Sequence, residues 1–401
     1  MLASSLSCVA LVALAAPPEI TFLPANSLAY KVSDDGRVVV GSVGANAFRW
    51  TAEGGYQVIT GVHNFGPLMS VSGDGQVMVS DAPNAQNKMN AAIWQGGSSW
   101  SLLPTTGLAS CDAFLLNSYD TDADGSVIVG LAWFPGCAAR AFRWDAVNGT
   151  VDLGTLVAGR STRANAVSAD GTLIVGWQDA ANGQRRGARW VNGVQSYMPS
   201  YVAPGGASYL VGEALGVSNN GQHIVGYNVF SAPAGPAWHF SVATGVMSAI
   251  QNLPAFGSQD ALASAVTDDG TTIVGTTGGI PIGRKAIIWI NGQPQDLRTY
   301  IESKGGSIAP YTSLGTAMDI TPDGRTIVGW GAGTGNPPGA WIVHFPAPCE
   351  PDLTGDGSVG PEDLAELLGA WGGRGEADLS GDGTVGPEDL ALLLGAWGSC
   401  D

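Results

Sequence analysis

The chain has 401 residues, 45% of them hydrophobic and only 13% charged, with 59 glycines. Such a composition folds, and it favours turns and strands over long charged helices. The formal net charge is −17, which argues against nucleic acid as the main partner. From Cys349 onward there are 12 acids and one base, Arg374, so the tail carries −11 and the rest of the chain −6.

In chain order, the first segment is MLASSLSCVALVALAA, residues 1–16, which reads as a secretory signal peptide. Its apolar run from Leu6 is too short to span a bilayer, and Ala13-Leu14-Ala15 offers a small-residue cleavage site. It lacks the usual basic start, and a buried N-terminal strand is the alternative. No other run reaches transmembrane length. Export makes sense of the cysteines. Cys8 leaves with the leader, Cys111 and Cys137 share one insertion, and Cys349 and Cys400 bracket the tail. An even count in an exported chain suggests two disulfides, with 111–137 and 349–400 as the local pairing.

Residues 17–347 form a loose repeat. Its phrases are YKVSDDGRVVVG then AFRW, ANAVSADGTLIVGW then GARWVNG, and AMDITPDGRTIVGW then AWIV. The turn glycines are Gly36, Gly75, Gly125, Gly171, Gly221, Gly270 and Gly324. A tryptophan follows each: Trp50, Trp94, Trp144, Trp190, Trp238, Trp289 and Trp341. Seven copies spaced 39 to 54 residues apart have the period of a propeller blade. Phrases such as VSADG end a strand in a turn where glycine takes positive φ, and TLIVG is a β-branched run suited to a buried strand. A second glycine after that run (Gly41, Gly130, Gly176, Gly226, Gly275, Gly329) lets neighbouring backbone approach; the second copy has Ser80 there. The fourth strand is expected at VDLGTL from Val151 and at AIQNLP from Ala249. The seventh copy lacks one, and EITFLP from Glu19 supplies it, closing the ring and removing the sheet edges. The expected fold is all-β, a seven-bladed β-propeller over 17–347 followed by a small α-helical calcium-loop domain over 348–401. The copies resemble the HAF-type extracellular repeat, although their strand reads NAFRW and RAFRW without its histidine. That resemblance implies an extracellular, propeller-like body and no defined reaction.

No catalytic motif stands out in the body. The four histidines, His63, His223, His239 and His344, form no HExxH, and neither a GxSxG elbow nor a phosphate loop occurs. Asp81, Asp179 and Glu213 are the acids that blade loops could bring together as a glycosidase pair, with an ordinary loop or strand-end role as the plainer reading. The run Asp120-Thr121-Asp122-Ala123-Asp124-Gly125 opens like a calcium loop but has Leu131 where the closing carboxylate belongs, so it reads as an acidic turn or as a third ion site. Trp177, Tyr227 and Trp330 occupy equivalent positions before the most variable loops, with Lys88, Arg140, Arg185, Arg186, Arg284 and Lys285 nearby. They form a rim for a flat or anionic polysaccharide, or they fill gaps between blades.

The tail contains one phrase twice, DLTGDGSVGPEDLAELLGAWG from Asp352 and DLSGDGTVGPEDLALLLGAWG from Asp378. Each opens with oxygen ligands at calcium-loop spacing. The first copy offers Asp352, Thr354, Asp356, Ser358 and Asp363, and the second Asp378, Ser380, Asp382, Thr384 and Asp389. Gly357 and Gly383 stand where the loop must turn sharply. Pro361 and Pro387 suit the first turn of a helix, and Gly369 and Gly395 stop it. The duplication resembles the type I dockerin family, in a cysteine-closed variant bounded by Cys349 and Cys400. That resemblance implies two Ca2+ ions and docking onto a cohesin module. The family places Asn or Asp where Thr354 and Ser380 stand, which bears on affinity. The expectation is thus an exported, monomeric, non-catalytic binding protein whose propeller recognises a glycan or protein and whose tail attaches it to a cohesin-bearing scaffold or surface. The alternative is a polysaccharide-degrading glycoside hydrolase or lyase with the same anchor.

Overall fold

The computed structural model describes residues 17–62, 69–97, 99–109, 115–228, 235–254, 261–278, 283–331, 335–346, 349, 351–354, 358–375, 377–380 and 382–399. Residues 1–16, expected to be a signal peptide, and His63, Cys111, Asp356 and Cys400 fall outside these. Among the described residues no helix is long and apolar enough to cross a membrane.

One unit spans Ile20–Tyr300 and Ile308–Val343, and a second takes in Ile301–Ser307 and His344 onward. The first holds seven four-stranded antiparallel sheets, the seven blades of a β-propeller. Blade 1 runs Ser27–Val32, Val38–Val43, Asn46–Thr51 and Gly55–Ile59. Blades 2 to 6 repeat the meander, with inner strands Ser70–Val71, Leu116–Thr121, Thr162–Val167, Ala214–Val217 and Ala261–Val266. Blade 7 takes Thr316–Ile320, Thr326–Trp330 and Gly339–His344 from the end of the repeat, and Glu19–Ala25 completes it. The ring therefore closes as the sequence implies. Outer strands start earlier than expected, at Gly149–Asp152 and Val246–Ile250. A short helix, Leu297–Ser303, was not foreseen; its buried Leu297 and Ile301 stand one turn apart.

Each turn after an inner strand is tied in the same way. In blade 1 the Ser33 hydroxyl accepts from the Val38 amide (2.9 Å) and donates to Asp35 (2.6 Å), which accepts from the Arg37 amide (3.0 Å). Gly36 follows with φ +73°. Ser72/Asp74, Ser168/Asp170, Thr267/Asp269 and Thr321/Asp323 repeat these bonds. Thus the acids of the turn serve the local backbone. Amide-to-carbonyl bonds also link neighbouring turns, from Asp34 to Gly73, Asp74 to Ala123, Ala123 to Ala169 and Ala169 to Asn219.

The second glycine explains the inner strand. A Cβ on Gly41, Gly130, Gly176, Gly226, Gly275 or Gly329 would lie 1.8–2.1 Å from a carbonyl oxygen of its own blade's inner strand. That oxygen is turned into the space by a β-bulge, which shifts the register between Ala29 and Lys31, Ser118 and Asp120, Ala164 and Ala166, Ala214 and Gly216, Ala263 and Ala265, and Ala317 and Asp319. Blade 2 has Ser80 there, and of its inner strand the described part is Ser70–Val71. Aromatic residues cover some of these glycines, Phe48 and Phe142 in blades 1 and 3 but Trp238 and Trp341 in blades 5 and 7. The seven tryptophans therefore occupy two positions rather than one. In blade 5 the aromatic pair is exchanged, so that Phe240 stands opposite Ile224 where Trp190 stands opposite Ile174 in blade 4.

The core lies between blades. Val129 and Leu153 of blade 3 pack on Ile174, Ala188 and Trp190 of blade 4, and Leu23 and Ala340 of blade 7 on Val39 and Phe48 of blade 1. We expect Gly176→Ala to lower stability by about 3 kcal/mol or more, because its methyl meets backbone rather than a movable side chain. Among the described residues the Ser80 hydroxyl is buried without a partner, so Ser80→Ala should raise stability by about 1 kcal/mol. Urea melts of the two variants check both expectations.

Candidate functional site

The bulges set what lines the channel. Tyr30, Tyr119, Asn165, Leu215, Ser264 and Met318 are the bulged residues, and with Met69 of blade 2 they line a cavity of about 150 Å3. Lys31 also lines it, and borders a further cavity of about 60 Å3 toward the turns, room for a few waters. The Lys31 ammonium lies 3.4 Å from Asp120 and 3.9 Å from Asp319. Asp120 of blade 3 also accepts from the Ser70 hydroxyl of blade 2 (2.7 Å) and the Val167 amide of blade 4 (3.0 Å). Asp319 accepts from the Val32 amide (3.0 Å). The channel waist is thus a charged cross-link between five blades. Burial raises the Asp319 carboxyl to about 6, against the pull of Lys31.

The Asp120–Asp124 run does not converge on one point. While Asp120 faces Lys31, Asp122 accepts from the Val127 amide and the Ser126 hydroxyl, and Asp124 accepts from the Ser126 amide. Asp122 does the work of Ser33 and Ser168 in the other turns. Among the described residues no group of three or more metal-ligating side chains is assembled.

The aromatic rim needs correcting at Trp177, which is only 4% exposed. The Arg185 guanidinium sits 4.2 Å over its ring and that of Arg163 5.3 Å. This indole therefore fills space between blades and offers no open face. Tyr227 and Trp330 are half-buried. The Tyr227 phenol is raised to about 12 by burial and by Glu213 beside it. Glu213 is itself buried, with one oxygen taken by Arg163 (3.0 Å) and the other by Arg185 (2.5 Å). Arg163 also donates to the Tyr119 hydroxyl (3.3 Å) and the Asn165 side chain (2.7 Å). Sequence reading missed this network, because its members come from different strands of three blades. Of the other acids, Asp179 lies 3.9 Å from Arg185. Asp81 is buried between blades 2 and 3, accepting from the Asn117 amide (2.6 Å) and the Ser118 backbone (3.0 Å).

In the tail, helices Pro361–Gly369 and Pro387–Gly395 begin and end where the prolines and glycines imply. Val359, Leu367, Val385 and Leu393 form their core. The two copies close each other's loops. Ser358–Val359 pairs with Gly398–Ser399 beyond the second helix, and Val385 bonds to Gly372 and Gly373 beyond the first. In the first loop Asp352 and Asp363 both lie within reach of the Thr354 hydroxyl, at 3.3 and 2.9 Å. In the second, Asp378 lies 3.4 Å from the Ser380 hydroxyl and accepts from the Gly383 amide, and Asp382 accepts from the Thr384 amide. Asp389 accepts from the Ser380 and Gly386 amides, which hold its carboxyl below the usual range. Leu392, set against Glu366 in the other copy, is 47% exposed, and Leu368, Trp371, Leu394 and Trp397 are exposed as well.

No protein-family model and no curated protein matches the chain. Among solved structures it is similar to a chain of a mitotic checkpoint complex (13% identity, 86% of this chain and 98% of that one, TM-score 0.48). It is also similar to the β-propeller domain of Cps50 (Swd1) from Myceliophteria thermophila (12%, 82% and 99%, 0.47). TolB from Acinetobacter baumannii is a third (15%, 57% and 53%, 0.39). Identities this low speak to fold alone, and the seven-bladed assignment rests on the strand pairing above.

Burial raises the Asp81 carboxyl to about 7 from 3.8. The folded chain therefore holds this proton more tightly than the unfolded one. The stability this gives is complete below pH 4 and is lost as pH rises through about 7. Asp81→Asn should remove that loss, worth up to about 4 kcal/mol, and flatten the fall in Tm between pH 4 and 8. Thermal melts across that range, wild type against variant, measure it.

Proposed function

We propose that the chain is an exported, non-catalytic binding protein with a calcium-dependent attachment module. Asp352, Thr354, Asp356, Ser358 and Asp363 hold one ion, and Asp378, Ser380, Asp382, Thr384 and Asp389 the other. The observation that carries this reading is the convergence of Asp352 and Asp363 on a single hydroxyl. One hydroxyl donates one hydrogen, so two carboxylates so close repel until a cation arrives. An all-oxygen donor set suits a hard divalent cation. The exposed leucines and tryptophans then form the docking surface, in keeping with a dockerin-like role toward a cohesin-like partner. The pairings Cys111–Cys137 and Cys349–Cys400 complete the reading, supported by Cys137 and Cys349 each being disulfide-bonded. The propeller is the recognition module. Its loops present basic and amide groups to a glycan, and Tyr227 and Trp330 border them.

Titration calorimetry of the metal-stripped full chain should show two calcium ions bound, and Asp378→Ala with Asp389→Ala should remove one. Helical circular dichroism should fall with chelator and return with calcium. A chain that takes up no calcium, or whose spectrum ignores chelator, overturns the proposal.

A further inference from the structure

We propose that blade 4 carries a site for the anionic substituent of an acidic polysaccharide, with Arg186 as its principal contact. This rests on the glycan reading of the propeller and gives that ligand a chemical class. The pocket, about 240 Å3, lies between the turn after strand Leu173–Asp179 and the connector to blade 5. It is lined by Ala181, Asn182, Gln184, Arg185, Arg186 and Leu210. That is below the roughly 300–1,000 Å3 of drug-sized sites, so it takes one unit of a polymer. Leu210, 43% exposed, gives an apolar patch for the C–H face of a sugar ring. Asn182 and Gln184 bring amides to its edge.

The arginines explain the choice of ligand. Arg140 donates to the Arg160 carbonyl, and Arg160 to the Ala181 carbonyl. Arg163 and Arg185 are paired with Glu213. Arg186 differs, because among the described residues it makes no hydrogen bond or ion pair. Its guanidinium carbon lies over the Tyr197 ring, 3.9 Å from the ring centre. That contact holds the group in place without using its N–H donors, which suits gripping a carboxylate or sulfate with two parallel hydrogen bonds. The surroundings favour an anion as well. Arg140, Arg160, Arg163, Arg185 and Arg186 gather here against two carboxylates, Asp179 and Glu213, in a chain of net charge −17. A substituent with one charge per sugar suits one free guanidinium. The carboxylate of a uronate and a sulfate ester share that chemistry.

Affinity electrophoresis of the full chain tests this with polygalacturonate, the same polymer fully methyl-esterified, dextran sulfate and neutral dextran. Retardation by polygalacturonate or dextran sulfate, and by neither neutral gel, is the expected result, and the more strongly retarding polymer names the anion. Arg186→Gln should weaken the retardation by about tenfold or more, as loss of a charge-assisted pair implies. Arg186→Lys, which keeps the charge without the fork, should restore only part of it. Unchanged melting and calcium uptake show that both variants fold. Equal retardation by neutral and acidic gels, or an Arg186→Gln variant that binds like wild type, overturns the anion site and leaves the glycan reading standing. Retardation by none of the four overturns both.

Discussion

The propeller depends on a missing methyl group. In six blades the second strand has a glycine where a Cβ would lie about 2 Å from a carbonyl oxygen of the inner strand. No rotamer relieves a clash between backbone and Cβ, so each of these six bulges is matched by a glycine on the neighbouring strand. The bulge leaves one residue per inner strand unpaired, and these residues line the channel. The sequence therefore sets the channel wall through a residue that never touches it. Blade 2 has Ser80 in place of glycine; the residues that would face it lie outside those described, and Met69 is what this blade gives to the channel.

Carboxylates serve four different purposes in one acidic chain, and their surroundings decide which. In the turns, Asp35, Asp74 and their equivalents accept from amides two residues on, so they are solvated and local. At the channel waist Asp120 and Asp319 face Lys31 and bind amides of neighbouring blades, where few waters reach them. Glu213 is balanced by two arginines. In the tail Asp352, Asp363, Asp378 and Asp389 gather at hydroxyls and amides of their own loops. This last arrangement is the one proposed to take an ion from solution.

Much of this was legible in the chain. Seven turn glycines at blade spacing and a spare strand at Glu19 are enough to give seven closed blades, because each unit must bury both faces against neighbours. The duplicated tail gave its helices through Pro361, Pro387, Gly369 and Gly395. Other features were not legible. The tryptophan after each turn reads as one position, but Trp238 and Trp341 lie over the glycine while Trp190 lies two residues away. That offset depends on how two aromatic side chains divide the space above one strand. The DxDxDG run reads as an ion loop, but Asp120 sits on the inner strand and is turned toward Lys31 across the channel.

What the sequence determined alone was local or periodic: turns, strands and helix ends, fixed by backbone conformation and hydrophobic spacing within a few tens of residues, and ring closure, which follows from counting a spare strand at one end of the repeat and a missing one at the other. The tertiary structure alone decided which charges meet. Arg163, Arg185, Glu213 and Trp177 converge from different strands and blades, burying an indole expected at the surface. Arg186, alongside them, makes its contact with the Tyr197 ring instead of a carboxylate. Pairing of this kind depends on distances between blades across the ring, and no spacing along the chain encodes them.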